Sequence, residues 1–226
     1  QARNDGEVRA NNKCRLPIPI SENYSPVMEF DHDTEIDRVL GQRLKAARQR
    51  HGLTLDALAE RSGVSRAMIS RVERGESSPT AALLVRLGSG LGLSLSALLE
   101  ESAGSGPLAR RDAQPVWRDP ASGYLRRNVS SRGTGSSFEI VEVELPGGAE
   151  VRLDNATGAA ALDQQIWVLR GRLDLTVEGI RHELAEGDCL QMHLRGPIIY
   201  RNPGEAPVRY AVILAAKSGA FPGHIA

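Results

Sequence analysis

Cysteine is nearly missing from this chain, aromatic side chains are few, and neither sign of charge is in excess. The two cysteines, Cys14 and Cys189, stand far apart, which excludes a disulfide framework. No apolar run approaches the ~20 residues that a membrane-spanning helix needs, and the start has no hydrophobic signal-peptide core. The expectation is a soluble protein of a reducing compartment, the cytoplasm. Lys plus Arg and Asp plus Glu both number 28, so total charge selects no partner. What is present is length and aliphatic content. The 226 residues, 41% of them hydrophobic, suffice for two small domains with cores of their own.

The balanced total hides a local imbalance. Between Glu35 and Gly75 stand nine basic and five acidic residues, a net charge near +4. A basic module beside a compensating one is what a nucleic-acid-binding protein shows. Four segments separate along the chain. Residues 1–33 are polar, with Pro17, Pro19 and Pro26 and no sustained period, and are expected to form a flexible arm. Residues 34–100 are helical in pattern. Residues 101–114, opening "ESAGSGPLARRD", have the Gly, Ser and Pro of a linker. Residues 115–226 alternate short β-rich runs ("FEIVEVEL", "QIWVLRGRLDLTV", "RYAVILA") with turn clusters such as Pro146-Gly147-Gly148 and Asn202-Pro203-Gly204, the pattern of a sandwich or barrel.

Apolar spacing and cap residues predict five short helices in the second segment. The first runs from Asp37 to about His51, with Val39, Leu40 and Leu44 apolar and Gly52 as its stop. Thr54 caps a second that ends near Gly63, and Ser65 caps a third that reaches about Arg74. Thr80 and Ser94 open the fourth and fifth. Only Ser62, Gly63 and Val64 join the second helix to the third, and glycine accepts the positive φ that so tight a turn favours. Leu58, Ala59, Gly63, Val64, Ile69 and Val72 together form the pattern of a helix-turn-helix.

The stretch "LGQRLKAARQRHGLTLDALAERSGVSRAMISRVERGESSPTAALLVRLGSGLGLSLSALL" resembles the repressor-type helix-turn-helix domain of phage repressors and of the xenobiotic-response-element-like bacterial regulators. The resemblance covers residues 35–100. It implies that the third helix enters the major groove of double-stranded DNA with its N-terminal residues at the base edges. Carried over by position, Arg66 and Ala67 come first on the recognition face and Arg71 lies about one turn on. Ser70 sits between them, and Thr54 and Ser65 sit where helix N-termini meet phosphates. An arginine fork donates two hydrogen bonds to guanine and so discriminates by ~1–3 kcal/mol. One arginine alone is ordinarily a solvated side chain; here a complete motif surrounds the face. Arg74, beside Glu73, fits a DNA contact or an intrahelical role equally. Arg43, Lys45, Arg48 and Arg50 are expected in solvent, the alternative being contact with the DNA backbone.

From about 137 to 215, the order of strand, Gly171, strand, turn and Gly187-Asp188 resembles the cupin barrel. Many cupins are enzymes whose metal is held by two histidines and a glutamate in a first motif and a histidine in a second. No histidine occurs between Pro146 and Arg181, Gln164 stands where the family has its glutamate, and Ile198 occupies the second-motif histidine position. An amide is a poor substitute for a carboxylate on a cation. His193 falls at the usual proline position, and His182, His193 and His224 are expected as surface or core residues. The barrel is therefore expected to be metal-free, cofactor-free and non-catalytic. Strand parity turns Gln164, Ile166 and Val168, with Ile198, Tyr200 and Asn202, toward the interior. With Arg152 or His193 they are candidates to line a small-molecule site, the alternative being a closed core. Trp167, on the opposite parity, is expected to pack against another sheet or subunit, and Cys189 to be a buried small residue.

The expected fold is thus an all-α five-helix domain followed by an all-β double-stranded β-helix. The expected function is a sequence-specific transcriptional regulator, a homodimer whose barrel senses an effector or dimerises. The alternatives are a metal-dependent cupin oxygenase, epoxidase or isomerase with an accessory helical domain, and a module whose helices bind protein.

Overall fold

The computed structural model describes residues 32–99, 106–131, 136–154, 162–193 and 196–216. The arm expected over residues 1–33 lies outside them, except for two positions at its end that already belong to the first helix. So do Cys14, His224 and the first part of the expected linker.

Among the described residues, five helices come first: α1 His32–Arg50, α2 Leu55–Ser62, α3 Arg66–Glu73, α4 Ala81–Leu91 and α5 Leu95–Leu98. Four of the starts use one device. The hydroxyls of Thr54, Ser65, Thr80 and Ser94 each accept the backbone N–H three residues on, at 3.1–3.3 Å, so the first turn is satisfied from within the sequence. The α2–α3 turn closes at Gly63, whose φ of 63° is left-handed and whose N–H returns to Ala59 O at 2.9 Å. Leu44, Leu58, Ile69, Leu84 and Leu87 are fully buried between the helices. Aliphatic side chains form the centre of this core. Gly41 sets how close α1 and α3 come, because a β-carbon there would run into the Val72 carbonyl.

One difference from the sequence expectation has a clear physical cause. Arg48, expected in solvent, has a side chain only 11% exposed, and Glu73 on α3 only 6%. The close α1–α3 approach brings the guanidinium onto that carboxylate through two hydrogen bonds of 2.6 and 2.8 Å, and Arg48 Nη1 reaches Leu53 O at 2.8 Å. Arg48 is a structural cation.

After a 3₁₀ turn at Arg111–Ala113, the described residues form ten strands: β1 Val116–Arg118, β2 Leu125–Asn128, β3 Phe138–Leu145, β4 Glu150–Asp154, β5 Leu162–Arg170, β6 Leu173–Val177, β7 Ile180–Leu184, β8 Cys189–His193, β9 Pro197–Arg201 and β10 Val208–Ala216. They form a six-stranded sheet, β1-β2-β3-β10-β5-β8, and a four-stranded one, β4-β9-β6-β7. All pairings are antiparallel. The chain moves repeatedly between the two sheets, the arrangement of a double-stranded β-helix. The long run "QIWVLRGRLDLTV" breaks at Gly171, φ 90°, and the β6–β7 hairpin turns at Glu178 and Gly179, φ 50° and 80°, as a primed turn requires. Cys189 corrects its expectation: it is exposed, because β8 lies at a sheet edge with Met192 as its inward residue.

The helical domain rests on the barrel. Helix α4 packs on β4, and the Asp119 carboxylate accepts the Ala81 N–H at 2.8 Å, adding an anion to the start of α4. No helix among the described residues is long and apolar enough to cross a membrane.

Candidate nucleic-acid interface and barrel cavity

Helix α3 is sharply two-sided. Ile69 and Val72 are buried on one side, while Arg66, Ala67 and Arg71 are exposed on the other. Arg66 has a side chain 65% exposed, and the nearest carboxylate, Asp56, lies 3.6 Å away and is itself exposed. Such a pair is weak and readily exchanged for a phosphate or base. Ser65 and Thr54 are exposed as well, each with its hydroxyl already serving a cap. Ser70 is half-buried, and its hydroxyl accepts from Arg74. Arg74 is drawn the other way, toward Glu76, which it meets through two bonds of 2.6 Å. Those bonds hold the Glu76 carboxyl below the usual carboxylate range, with Arg71 adding a smaller pull. The expected face therefore divides: Arg66, Ala67 and Arg71 point outward together, and Arg74 is engaged within its own chain.

One residue that stabilises this face escaped sequence reasoning. Arg86, on α4, donates to Ser62 O at 3.3 Å and also to Gly63 O. It clamps the α2–α3 turn from behind. No local pattern marks it, since the turn lies 23 residues away.

The second feature is a cavity of about 80 Å³ between the two sheets and the helices. Gln164 and Tyr200 meet in its wall, where the amide Nε2 donates to the tyrosine oxygen at 2.9 Å. The other candidates go elsewhere. Ile166 and Ile198 are buried in the core but do not line the cavity. Arg152 is exposed, because its neighbours Val151 and Leu153 take the inward positions of β4. His193 is also exposed, on the outer face of β8, and contacts Asp163 Oδ1 at 2.5 Å. Asn202 is buried but fully used: its Nδ2 reaches the carbonyls of Leu145, Pro146 and Ala206 at 2.9–3.1 Å, and its Oδ1 accepts the Gly204 N–H. It is a turn clamp rather than a ligand contact.

Tyr124, Arg126 and Tyr210 complete the polar part of the wall. Sequence reasoning passed over Tyr124 and Arg126 because "YLRRNV" is too charged to resemble a strand. Their i, i+2 spacing was the available signal. Tyr200 stacks on Tyr210 at 5.9 Å between ring centroids. Burial pushes Tyr124 and Tyr200 up to about 12 and Tyr210 well above its ordinary value, so all three remain neutral phenols near neutral pH. From the helical side, Val85, Ser89, Leu93 and Ser96 close the cavity.

The donors of a cupin metal centre do not fit here. Gln164 is tied to Tyr200, Ile198 is aliphatic, and no cluster of three His, Cys, Asp or Glu suited to a metal occurs among the described residues.

Comparison with known proteins bears on both features. The helix-turn-helix family model HTH_3 matches residues 44–98. A crystal structure of an HTH_3 family transcriptional regulator from Vibrio cholerae is similar with a TM-score of 0.68 at 27% identity, over 82% of this chain and 99% of that one. The HTH-type transcriptional regulator SutR of Escherichia coli strain K12 is 30% identical over 174 residues, which span 76% of this chain and 92% of SutR. With a capped, two-sided helix α3 on a cupin-type barrel, the chain belongs to the family of HTH-type transcriptional regulators that includes SutR.

Proposed function

We propose that this regulator is cytoplasmic, binds DNA sequence-specifically as a homodimer, and uses its barrel for sensing and pairing rather than for catalysis. The observation that carries the DNA contact is the outward grouping of Arg66, Ala67 and Arg71 on a helix whose other side is locked by Ile69 and Val72. Arg66 and Arg71 donate to guanine edges, Ala67 meets a thymine methyl, and Ser70 lies within reach of a base edge or phosphate. The amides at the Thr54 and Ser65 helix starts take backbone phosphates. Arg74 contacts DNA only by giving up Glu76.

A mapped operator fragment tests this directly. Affinity is expected to fall steeply with salt, through ~6–10 phosphate contacts. Arg66→Ala is expected to relax preference at one base pair, at a cost of ~1–3 kcal/mol on the specific site. An equal loss on every sequence would reassign Arg66 to the backbone.

Pairing is supported by the outer face of the six-stranded sheet. Phe138 is 60% and Trp167 47% exposed there, with Ile140, also exposed, two residues after Phe138 on β3. In register, Phe138 pairs with Ala215, Ile140 with Ile213 and Trp167 with Ala211, so the patch is continuous across β3, β10 and β5. A second copy of the chain is the occupant that suits it, since two reading heads match a two-fold operator. Trp167→Glu is expected to yield monomers in light scattering and to weaken operator binding.

The non-catalytic reading rests on the donor set, with an amide and an isoleucine where a cupin enzyme has a carboxylate and an imidazole. Metal analysis of purified protein, with stoichiometric iron or manganese as the contrary result, tests it.

A further inference from the structure

We propose that the barrel cavity binds a small organic anion, held by Arg126 and in direct contact with the helical domain. This rests on the regulator reading above and names the chemistry of its effector. A cavity of about 80 Å³ has room for a handful of waters at ~10–15 Å³ each, and hence for an acid with a short aliphatic body. Its lining supplies both halves of such a ligand's environment. Val143, Val212 and Leu214 supply apolar wall, and Arg126, Tyr124 and Gln164 supply polar groups. Among the described residues, no carboxylate lines the wall.

Arg126 is the telling residue. Its side chain is buried, its Nη2 bonds Ser96 Oγ, and it stands 3.9 Å from Glu139 Oε1, too far for a hydrogen bond. Its Nε, also buried, has no hydrogen-bond partner among the described residues. A guanidinium brings five N–H donors, and a buried donor without an acceptor is a standing cost that an anionic oxygen would remove. Glu139 tempers the cation but contributes nothing to the cavity wall.

The position of the site links it to DNA binding. Ser89, Leu93 and Ser96, from α4 to α5, line the same cavity, and Ser96 is the residue that already holds Arg126. One turn before Ser89, Arg86 clamps the α2–α3 turn. A ligand seated on Arg126 therefore touches the element that positions the reading helix. It changes DNA affinity to the extent that it prefers one arrangement of that element.

Calorimetry on the full chain with four probes of matched size tests the proposal: butyrate and propane-1-sulfonate against butan-1-ol and butylamine. Both anions are expected to bind, and the alcohol and amine are not. Arg126→Gln is expected to weaken anion binding about tenfold or more, with Arg126→Lys keeping part of it. Because Arg126→Gln leaves Glu139 without its guanidinium, a second variant, Val212→Phe, fills the cavity from its apolar wall and is expected to abolish binding with Arg126 intact. Equal binding of alcohol and anion, no binding by any probe, or anion binding that survives in both Arg126→Gln and Val212→Phe overturns the proposal. Operator binding measured without probes separates the two readings. DNA binding without anion binding removes this site alone, and anion binding without DNA binding removes the regulator reading alone.

Discussion

The helical domain and the barrel each take a guanidinium out of solvent, and they treat it in opposite ways. At Arg48 all three guanidinium nitrogens are engaged, by both oxygens of Glu73 and the Leu53 carbonyl. Arg126 is held by Ser96, has its carboxylate at a distance, and keeps one buried N–H without an acceptor. The first arrangement locks α1 to α3 with every guanidinium nitrogen bonded. The second leaves a cationic wall facing a cavity. A buried charge that is fully paired points to architecture, and one that is incompletely paired beside open volume points to a missing partner.

Substitutions can break or sharpen this contrast, in order of expected size. Glu73→Ala should be the most damaging, at about 3–5 kcal/mol, because it strands Arg48 in the interior. Chemical denaturation measures it, and the double variant Arg48→Met with Glu73→Leu should recover most of the loss. In the barrel, Tyr200→Phe removes the acceptor of Gln164 Nε2 and should cost about 1–3 kcal/mol in the same assay, with operator affinity unchanged in the absence of ligand. Loss of operator affinity in that variant would show that the cavity wall supports the reading head even when empty. The smallest effect belongs to the cap of the reading helix. Ser65→Ala should cost about 1 kcal/mol, and Ser65→Gly a few tenths.

Legibility in the sequence followed the range of the interactions. The caps at Thr54, Ser65, Thr80 and Ser94 were visible because each acts on an N–H three residues away. The turn at Gly63 and the hairpin at Glu178-Gly179 were visible because positive φ is a local demand. Strand parity turned Gln164 and Tyr200 inward, as they lie; Arg152, named beside them as a candidate, points outward because its neighbours Val151 and Leu153 hold the inward positions. Asn202 shows another limit. Its inward parity was right, but its polar atoms are consumed by a turn whose carbonyls come from 56 and 57 residues away as well as from Ala206. Arg48, Arg86 and Arg126 look alike in sequence. Their roles differ because their partners lie 25, 23 and 30 positions distant.

Periodicity, caps and turns, all set by contacts within a few residues, determined by themselves that a domain of five short helices precedes a strand-rich one. Only the tertiary structure decided which arginines face solvent, which are spent inside, and that Arg126 borders the cavity between sheets and helices. Those outcomes depend on how closely helices and sheets approach, and that distance is settled by packing between segments that no local pattern connects.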